Sequence, residues 1–509
     1  MTNHVVLNGA SLDPESLHQI AHGATVSISG NATANMAKGR EVVDRYVREA
    51  IPAYGLTTGL GMRASQMLSA EAAADFSYRT VRGRAQAVGE LLSPVQVRAV
   101  MAVRLNTLLS GAAGASAAVA PALVTALNIH LVPAMPSIGS IGTGDLVALA
   151  ALAHALIGEG EMLVDGARRP AAVVLAQAGI APLALLPKDG AVLCNNTAFS
   201  SALSALAAVS AKDLLGALQV AAALSLEGFQ GNLSPFAETV LQSRPQPGQV
   251  EAGNQIRMLL DGGPLALRGE PRRLQDPLSF RCVAQVHGAG IAALADLRQE
   301  LMVDLNASSD NPVVLTNEGL CVSNGNFHLP RLTQTLDSLA RSLAWCATDS
   351  VSRVQRLMNA QHSALPPLLS SESPDTAGFG PLLKPLEALR SEIIHLANPV
   401  PILPSHNADG IEDSVTFSAL AATKLDQLLQ RLSLLVAFEL VAACQANDLR
   451  NGGPTMHPPI APRLQNVYAA IRDRCAFLHE DRPIGREIEA IAEQLVTSGH
   501  IRSLAQLPE

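Results

Sequence analysis

Apolar residues recur at helical spacing through the second half of the chain. From about residue 198 onward they return every three or four positions, which predicts a series of long helices. The first part is more varied: a short apolar stretch at Val5-Val6-Leu7 precedes a polar helix predicted near residues 14–22. One apolar helix is predicted over residues 145–162, followed by a β-like segment around residues 171–174. We therefore expect a mainly α fold.

Two stretches are apolar enough to raise the question of a membrane span. Residues 197–226 contain Lys212 and Asp213 near their middle, and residues 432–443 contain Glu439. Charges inside a bilayer are costly, whereas helices that are apolar on most sides are common inside large bundles. We expect both stretches to be buried core helices.

Composition narrows the class of protein. The chain has 509 residues, of which 48% are hydrophobic and 3% aromatic, and its formal net charge is −8. This acidic balance indicates neither a nucleic-acid partner nor an anionic membrane surface. The six cysteines are scattered without the paired spacing of a metal site, which predicts reduced thiols, no metal and a cytoplasmic protein.

Residues 136–146 form the most distinctive short segment, Pro-Ser-Ile-Gly-Ser-Ile-Gly-Thr-Gly-Asp-Leu. Three glycines and small hydroxyl residues permit tight backbone turns, and an apolar helical run starts directly afterwards. Asp145 suits the positive end of that helix. Taken alone, the segment is also compatible with an ordinary loop-to-helix junction.

The segment from Gly139 to Leu146 resembles the loop of the histidine/phenylalanine ammonia-lyase family, Gly-Ser-x-Gly-Ala-Ser-Gly-Asp-Leu. In that family Ala-Ser-Gly cyclises to the electrophile 4-methylidene-imidazol-5-one (MIO). This chain is one residue shorter across the loop, and its nearest tripeptide is Gly142-Thr143-Gly144. The resemblance implies no external cofactor, and any MIO-like group would have to form from these three residues.

A second block, residues 51–61, resembles the family's Tyr-Gly-Ile-Asn-Thr-Gly-Phe-Gly loop over the active site. Tyr54 takes the position of the tyrosine that the family uses as the base for the β-proton, while Thr57 replaces an asparagine. Without the resemblance, a tyrosine packed on a loop would be the simpler interpretation.

A third block places Gly83-Arg84 where histidine-specific members have Ser-His at the substrate ring. A guanidinium there would favour an anionic or strongly hydrogen-bonding side chain over an imidazole. Arg84 could instead turn outward or pair with an acid from elsewhere.

Four further blocks imply substrate-binding residues. Asn195 matches the asparagine near the substrate amine, Gln275 and Arg281 match the segment with the carboxylate-binding arginine, Phe327 matches the ring behind the prosthetic group, and Glu412 keeps an acidic position. Leu278 stands where the family has an active-site tyrosine, and leucine supplies neither acid–base chemistry nor hydrogen bonds.

The seven blocks keep the family's order over roughly residues 45–450. The resemblance implies a long-helix bundle of the ammonia-lyase (fumarase/aspartase-like) superfold, with a MIO-type N-terminal domain over residues 1–200 and a central helical-bundle domain over 201–509. It also implies a homotetramer whose active sites are each built from three subunits.

Three functions remain open at this point. The chain could be an ammonia-lyase or aminomutase with an electrophile made from Gly142-Thr143-Gly144. It could be an enzyme without that group, which removes a β-proton from an amino acid or a derivative and completes an elimination, isomerisation or addition. It could also be a silent relative that binds a ligand or a partner subunit.

Overall fold

The computed structural model describes residues 3–267, 272–370, 375–454 and 458–508. Within these residues the chain is mainly helical, as the apolar spacing predicted. It divides into two compact units. The first comprises Met1–Val209, Arg298–Gln334 and Val400–Thr423, and the second comprises Ser210–Leu297, Thr335–Pro399 and Lys424–Glu509.

The expected division had a single boundary at residue 200. Instead, two later segments, Arg298–Gln334 and Val400–Thr423, pack with the N-terminal part of the chain. Sequence position alone does not predict that later segments pack with the N-terminal part, because this packing depends on contacts between residues that are distant in sequence.

Eight helices lie wholly within the described residues of the first unit. They span Pro14–Ala21, Gly30–Arg48, Ala70–Arg84, Pro94–Leu108, Val119–Asn128, Leu146–Leu156, Ala171–Gln177 and Asp189–Cys194, with single turns at Gly61–Arg63 and Ala408–Gly410.

The strands of the described residues all lie in the first unit and form five two-stranded ribbons. His4–Leu7 pairs in parallel with Thr25–Ile28. The antiparallel pairs are Val88–Leu91 with Pro136–Ile138, Glu161–Val164 with Ala167–Pro170, Val313–Leu315 with Leu320–Val322, and Pro404–Asn407 with Glu412–Ser414.

The regular secondary structure of the second unit is entirely helical within its described residues. Its own helices span Glu238–Gln242, Pro247–Leu260, Pro264–Leu267, Leu278–Arg281, Ala360–Ser363, Leu383–Leu396, Pro462–Arg474, Gly485–Ile491, Ala492–Thr497 and His500–Leu504, with single turns at Ser234–Phe236, Pro367–Leu369 and Gly380–Leu382. Four long helices have residues in both units: Ala198–Phe229, Val283–Asp304, Pro330–Met358 and Ser418–Arg450.

Two helical stretches, Asp189–Phe229 and Ser418–Arg450, are long and apolar enough to cross a membrane by length and composition. In the most apolar window of each, 78% is buried within the protein. The charge in the second stretch is also paired, since Arg353 donates to both oxygens of Glu439 at 2.6 and 2.9 Å. Both features are those expected of core helices.

Local signals explain where several helices begin. Asp13 accepts a hydrogen bond from the N–H of Ser16, and Ser93 and Gln96 form a reciprocal capping box at the start of Pro94–Leu108.

Two local predictions were wrong. The helix that starts at Leu146 ends at Leu156, residues 161–170 pair as a hairpin, and residues 171–174 begin a helix rather than a strand.

A buried ion pair holds the centre of the first unit together. Arg104 donates to both oxygens of Asp310, at 2.7 and 3.1 Å, and also to the carbonyl of Val192. Both charged side chains are almost fully buried, with 0% and 2% exposed. Arg104 therefore joins helix Pro94–Leu108 to two segments that are far away in sequence.

We expect Asp310→Ala to lower the free energy of unfolding by about 3–5 kcal/mol, because it leaves a buried guanidinium without its counter-charge. The matched control is Glu159→Ala, which breaks an exposed pair with Arg82 and should cost far less, because solvent screens that pair. Urea midpoints of the two variants measure the difference. Equal losses would contradict a structural role for the buried pair, and Arg104→Met with Asp310→Leu should recover much of the loss.

Candidate active site

A cavity of about 1100 Å³ opens in the first unit. Its wall brings together seven of the residues singled out in the sequence: Tyr54, Arg84, Thr143, Gly144, Asn195, Phe327 and Glu412. Gly142 is buried directly beside this group. Gln275 and Arg281 belong to the second unit, where Gln275 is exposed and Arg281 is half-buried, and neither is part of the wall formed by the described residues.

The glycine-rich loop is anchored at nearly every residue. The carbonyl of Ile141 accepts the N–H of Phe417 at 3.1 Å, and the carbonyl of Gly142 accepts the hydroxyl of Thr416 at 2.9 Å. Thr143 pairs with His328 as an isolated antiparallel bridge. The loop backbone is therefore held by two chain segments that approach from far along the sequence.

Asp145, at the end of the loop, is a buried hydrogen-bond acceptor. Its carboxylate accepts hydrogen bonds from the hydroxyls of Ser140 and Ser200 and from the N–H of Ser200 at 2.8 Å. Burial raises the pKa of Asp145, while these donors act in the opposite direction. The side chain thus binds neighbouring segments rather than capping the helix that follows, although that helix starts at Leu146 as predicted.

Gly142 has no room for a side chain. Its φ is +79°, and an added Cβ would lie 2.1 Å from the hydroxyl oxygen of Thr416. Gly144 is similar, with a φ of +81° and an added Cβ 2.9 Å from the side-chain oxygen of Asn195. Thr143 therefore stands between two positions that accept only glycine.

Tyr54 is positioned by its own loop. The phenol oxygen accepts the N–H of Gly61 at 3.0 Å. Thr57, which replaces the family's asparagine, donates to the carbonyl of Ile51 at 2.6 Å and accepts the N–H of Ala53 at 2.8 Å. These bonds fix the turn that carries the tyrosine into the cavity wall.

Asn195 connects the loop to a second wall. Its side-chain N–H₂ donates to the carbonyl of Asn311 at 2.8 Å, and the side-chain oxygen of Asn311 accepts the N–H of Asn324 at 3.1 Å. Phe327 follows on the same segment, within van der Waals reach of an added Cβ at Gly144.

Arg84 and Glu412 are oppositely charged side chains in the cavity wall, without a salt bridge between them. Both are half-buried. Burial raises the pKa of Glu412, and the positive charge of Arg84 acts against that rise. Burial also raises the pKa of the neighbouring Cys194 thiol to about 12, so this cysteine is no nucleophile. All six cysteines are free, as their spacing predicted.

The sequence did not single out several polar wall residues: Asn311, Ser323, Asn324, His328, Asn407, Asp413 and Ser414. His328 lies 3.3 Å from the hydroxyl of Ser414 through its Nε2 atom. The signal that could have found them is adjacency, since His328 follows Phe327 and Ser414 lies two positions after Glu412. Within the described residues, no group of acids, histidines and cysteines could hold a metal ion.

Comparison with known proteins decides the family. The sequence profile described as aromatic amino acid lyase matches residues 12–473. The chain belongs to the aromatic amino acid lyase family. Its activity class is that of a carbon–nitrogen lyase, and the mainly helical fold is that of its family relatives.

Individual relatives show the breadth of this family. Histidine ammonia-lyase of Symbiobacterium thermophilum is 35% identical, with 96% of this chain and 95% of that protein covered. Among solved structures, ergothionase from Treponema denticola, an ergothioneine-degrading enzyme, superposes with a TM-score of 0.91 at 29% identity and complete coverage of both chains. Tyrosine aminomutase from Streptomyces globisporus has a TM-score of 0.92 at 28% identity, covering 99% and 98%.

Gly142→Ala tests the anchoring of the loop. We expect it to destabilise the protein by about 1–3 kcal/mol more than Gly166→Ala, because the new methyl group has to displace Thr416. Gly166 is the matched control: its φ is +76° and nothing lies within 4 Å of its added Cβ, so it reports the backbone cost alone. Denaturant unfolding of both variants would disprove the tight contact if their losses were equal.

Proposed function

We propose that this enzyme eliminates an amine from an α-amino acid derivative without an internal electrophile, with Tyr54 as the base for the β-proton. The observation that carries the proposal is the loop around Thr143. It lacks the family's Ala-Ser-Gly, is one residue shorter, and is anchored on both sides of the threonine.

We infer that the residues of the loop do not fit the prosthetic group. The family's ring forms from Ala-Ser-Gly, whereas this loop has Gly142-Thr143-Gly144 and is one residue shorter. Loss of water from Thr143 would also leave a methyl-substituted alkene, which is bulkier and a weaker electrophile. We therefore assign no step to such a group.

Without an electrophile, the leaving group has to be good on its own. A quaternary ammonium group meets this need, because it carries its positive charge at every pH and departs as a neutral tertiary amine. It also has no lone pair with which to add to an electrophile. The likeness to an ergothioneine-degrading enzyme supports this class, since ergothioneine is a trimethylated histidine derivative with sulfur on its ring.

The atoms of the proposed step balance. Tyr54 acts as the phenolate: its deprotonated oxygen takes the β-hydrogen as a proton, the electron pair of that C–H bond becomes the Cα–Cβ double bond, and the C–N pair leaves with trimethylamine. The products are an aryl acrylate and trimethylamine, and Tyr54 releases its proton to solvent. This is general base catalysis by a positioned side chain.

We assign the substrate carboxylate to Arg281, with Gln275 beside it, because a forked guanidinium matches a carboxylate. Both residues belong to the second unit, so the assignment goes with a homotetramer in which other subunits complete each site. Asn195 and Phe327 are assigned to the region around the substrate amine and the loop.

The first test is turnover of ergothioneine and of histidine trimethylbetaine, with histidine as the comparison and trimethylamine release as the readout. We expect release from the betaines and none of ammonia from histidine. Tyr54→Phe should reduce turnover by about 100-fold or more, since it removes the base. Tyr46→Phe is the matched control, because its hydroxyl also accepts a backbone N–H, that of Cys321 at 3.1 Å, away from the cavity wall.

Thr143 separates this proposal from a second candidate, a histidine ammonia-lyase with a threonine-derived electrophile. That candidate is favoured by the 35% identity to histidine ammonia-lyase over nearly the whole chain. It requires the peptide containing Thr143 to be lighter by two waters, inactivation by borohydride, and complete loss of activity in Thr143→Ala. We expect an unmodified peptide mass and retained turnover in Thr143→Ala. The absence of turnover with every amino acid and betaine would instead indicate a silent ligand-binding relative.

A further inference from the structure

Arg84 is a cation in the cavity wall that lacks a close acid. It is the last residue of helix Ala70–Arg84 and is half-buried. Within the described residues its guanidinium makes one long hydrogen bond, from Nη1 to the carbonyl of Thr80 at 3.5 Å, and no salt bridge. Its remaining N–H donors are available to a molecule in the cavity.

A neighbouring arginine on the same helix does have an acid as its partner. Arg82, two positions earlier, donates to both oxygens of Glu159 at 2.8 and 2.7 Å and is exposed. The acid on this side of the helix is therefore used by Arg82. The side chain of Arg84 lies in the cavity wall instead. A guanidinium without a partner is unfavourable there unless a ligand supplies an acceptor.

The surroundings of Arg84 limit that acceptor. Glu412 acts on it electrostatically from the same wall, without a salt bridge between them. A ligand between the two would present an electron-rich acceptor to Arg84 and an N–H to Glu412. A heterocycle that carries sulfur or oxygen beside a ring N–H offers both groups on one edge.

We propose that Arg84 is a catalytic residue that stabilises the negative charge spreading into the substrate ring as the β-proton leaves, and that this ring bears an electron-rich heteroatom facing Arg84. The inference rests on the proposed elimination. Without an internal electrophile, part of the electron pair of the broken C–H bond is shared with the adjacent ring. A cation at the far edge of the ring binds that state more strongly than the ground state, which lowers the barrier.

Kinetics of Arg84→Met test the catalytic role. We expect kcat for ergothioneine to fall by about 10²–10³-fold, as for the loss of one preorganised electrostatic group. The isotope effect of a β-deuterated substrate should rise, because proton removal becomes slower than the other steps. Arg84→Lys should recover part of kcat, since it keeps the charge but not the fork. Arg82→Met is the control and should leave kcat within about twofold, because its ion pair is exposed.

Binding tests the heteroatom separately from turnover. Calorimetry would compare 2-mercaptoimidazole with imidazole for the wild type and for Arg84→Met. We expect the sulfur compound to bind at least about tenfold more tightly to the wild type, and this preference to disappear in the variant.

The outcomes distinguish the two proposals. If the wild type does not release trimethylamine from any betaine, the proposed function fails. If it does, but Arg84→Met raises KM with kcat unchanged, Arg84 only binds substrate and the inference is overturned. An equal loss in Arg82→Met, or no preference for the sulfur compound in the wild type, would overturn it as well.

Discussion

One buried guanidinium, that of Arg104, determines how the walls of the cavity meet. It is bound to Asp310 and to the carbonyl of Val192, three residues before Asn195. Asp310 in turn precedes Asn311, which accepts a hydrogen bond from Asn195. A charge that is fully removed from water needs all of its partners, so the segments that carry them are held in one arrangement. The precision of the candidate site follows from this constraint.

The glycine-rich loop is also held by partners from segments distant in sequence, but these partners are neutral groups. Hydroxyl and backbone donors from segments distant in sequence bind the loop on both sides of Thr143. The family uses such a loop as the source of an electrophile, and here the anchors hold a loop that is one residue shorter and carries Gly142-Thr143-Gly144 in place of Ala-Ser-Gly. A scaffold of this kind can keep its shape while its chemistry changes, because shape depends on the anchors and reactivity depends on the residues between them.

Charge placement distinguishes two arginines that look equivalent in the sequence. Arg82 and Arg84 lie on one helix, two positions apart, and this spacing turns their side chains to different directions. Arg82 has Glu159 within hydrogen-bond distance, whereas Arg84 is left at the cavity with donors unused. Because an exposed pair is largely screened and a half-buried unpaired cation is not, the second arginine is the one that bears on ligand binding.

The sequence by itself determined the mainly helical fold, the start of the helix at Leu146 and the membership of Tyr54, Arg84, Thr143, Asn195, Phe327 and Glu412 in blocks that meet at one cavity. Periodicity and local capping depend on residues close in sequence, so they can be seen there. The helix ends at Leu156, two residues before Gly158 with its φ of +81°, and a hairpin over residues 161–170 separates it from the helix at Ala171–Gln177. The return of residues 298–334 and 400–423 to the first unit, the contact of Asn311 with Asn195, and the unused donors of Arg84 were decided by tertiary structure alone. Each depends on which residue, distant in sequence, supplies the contact. Spacing along the chain does not specify that residue.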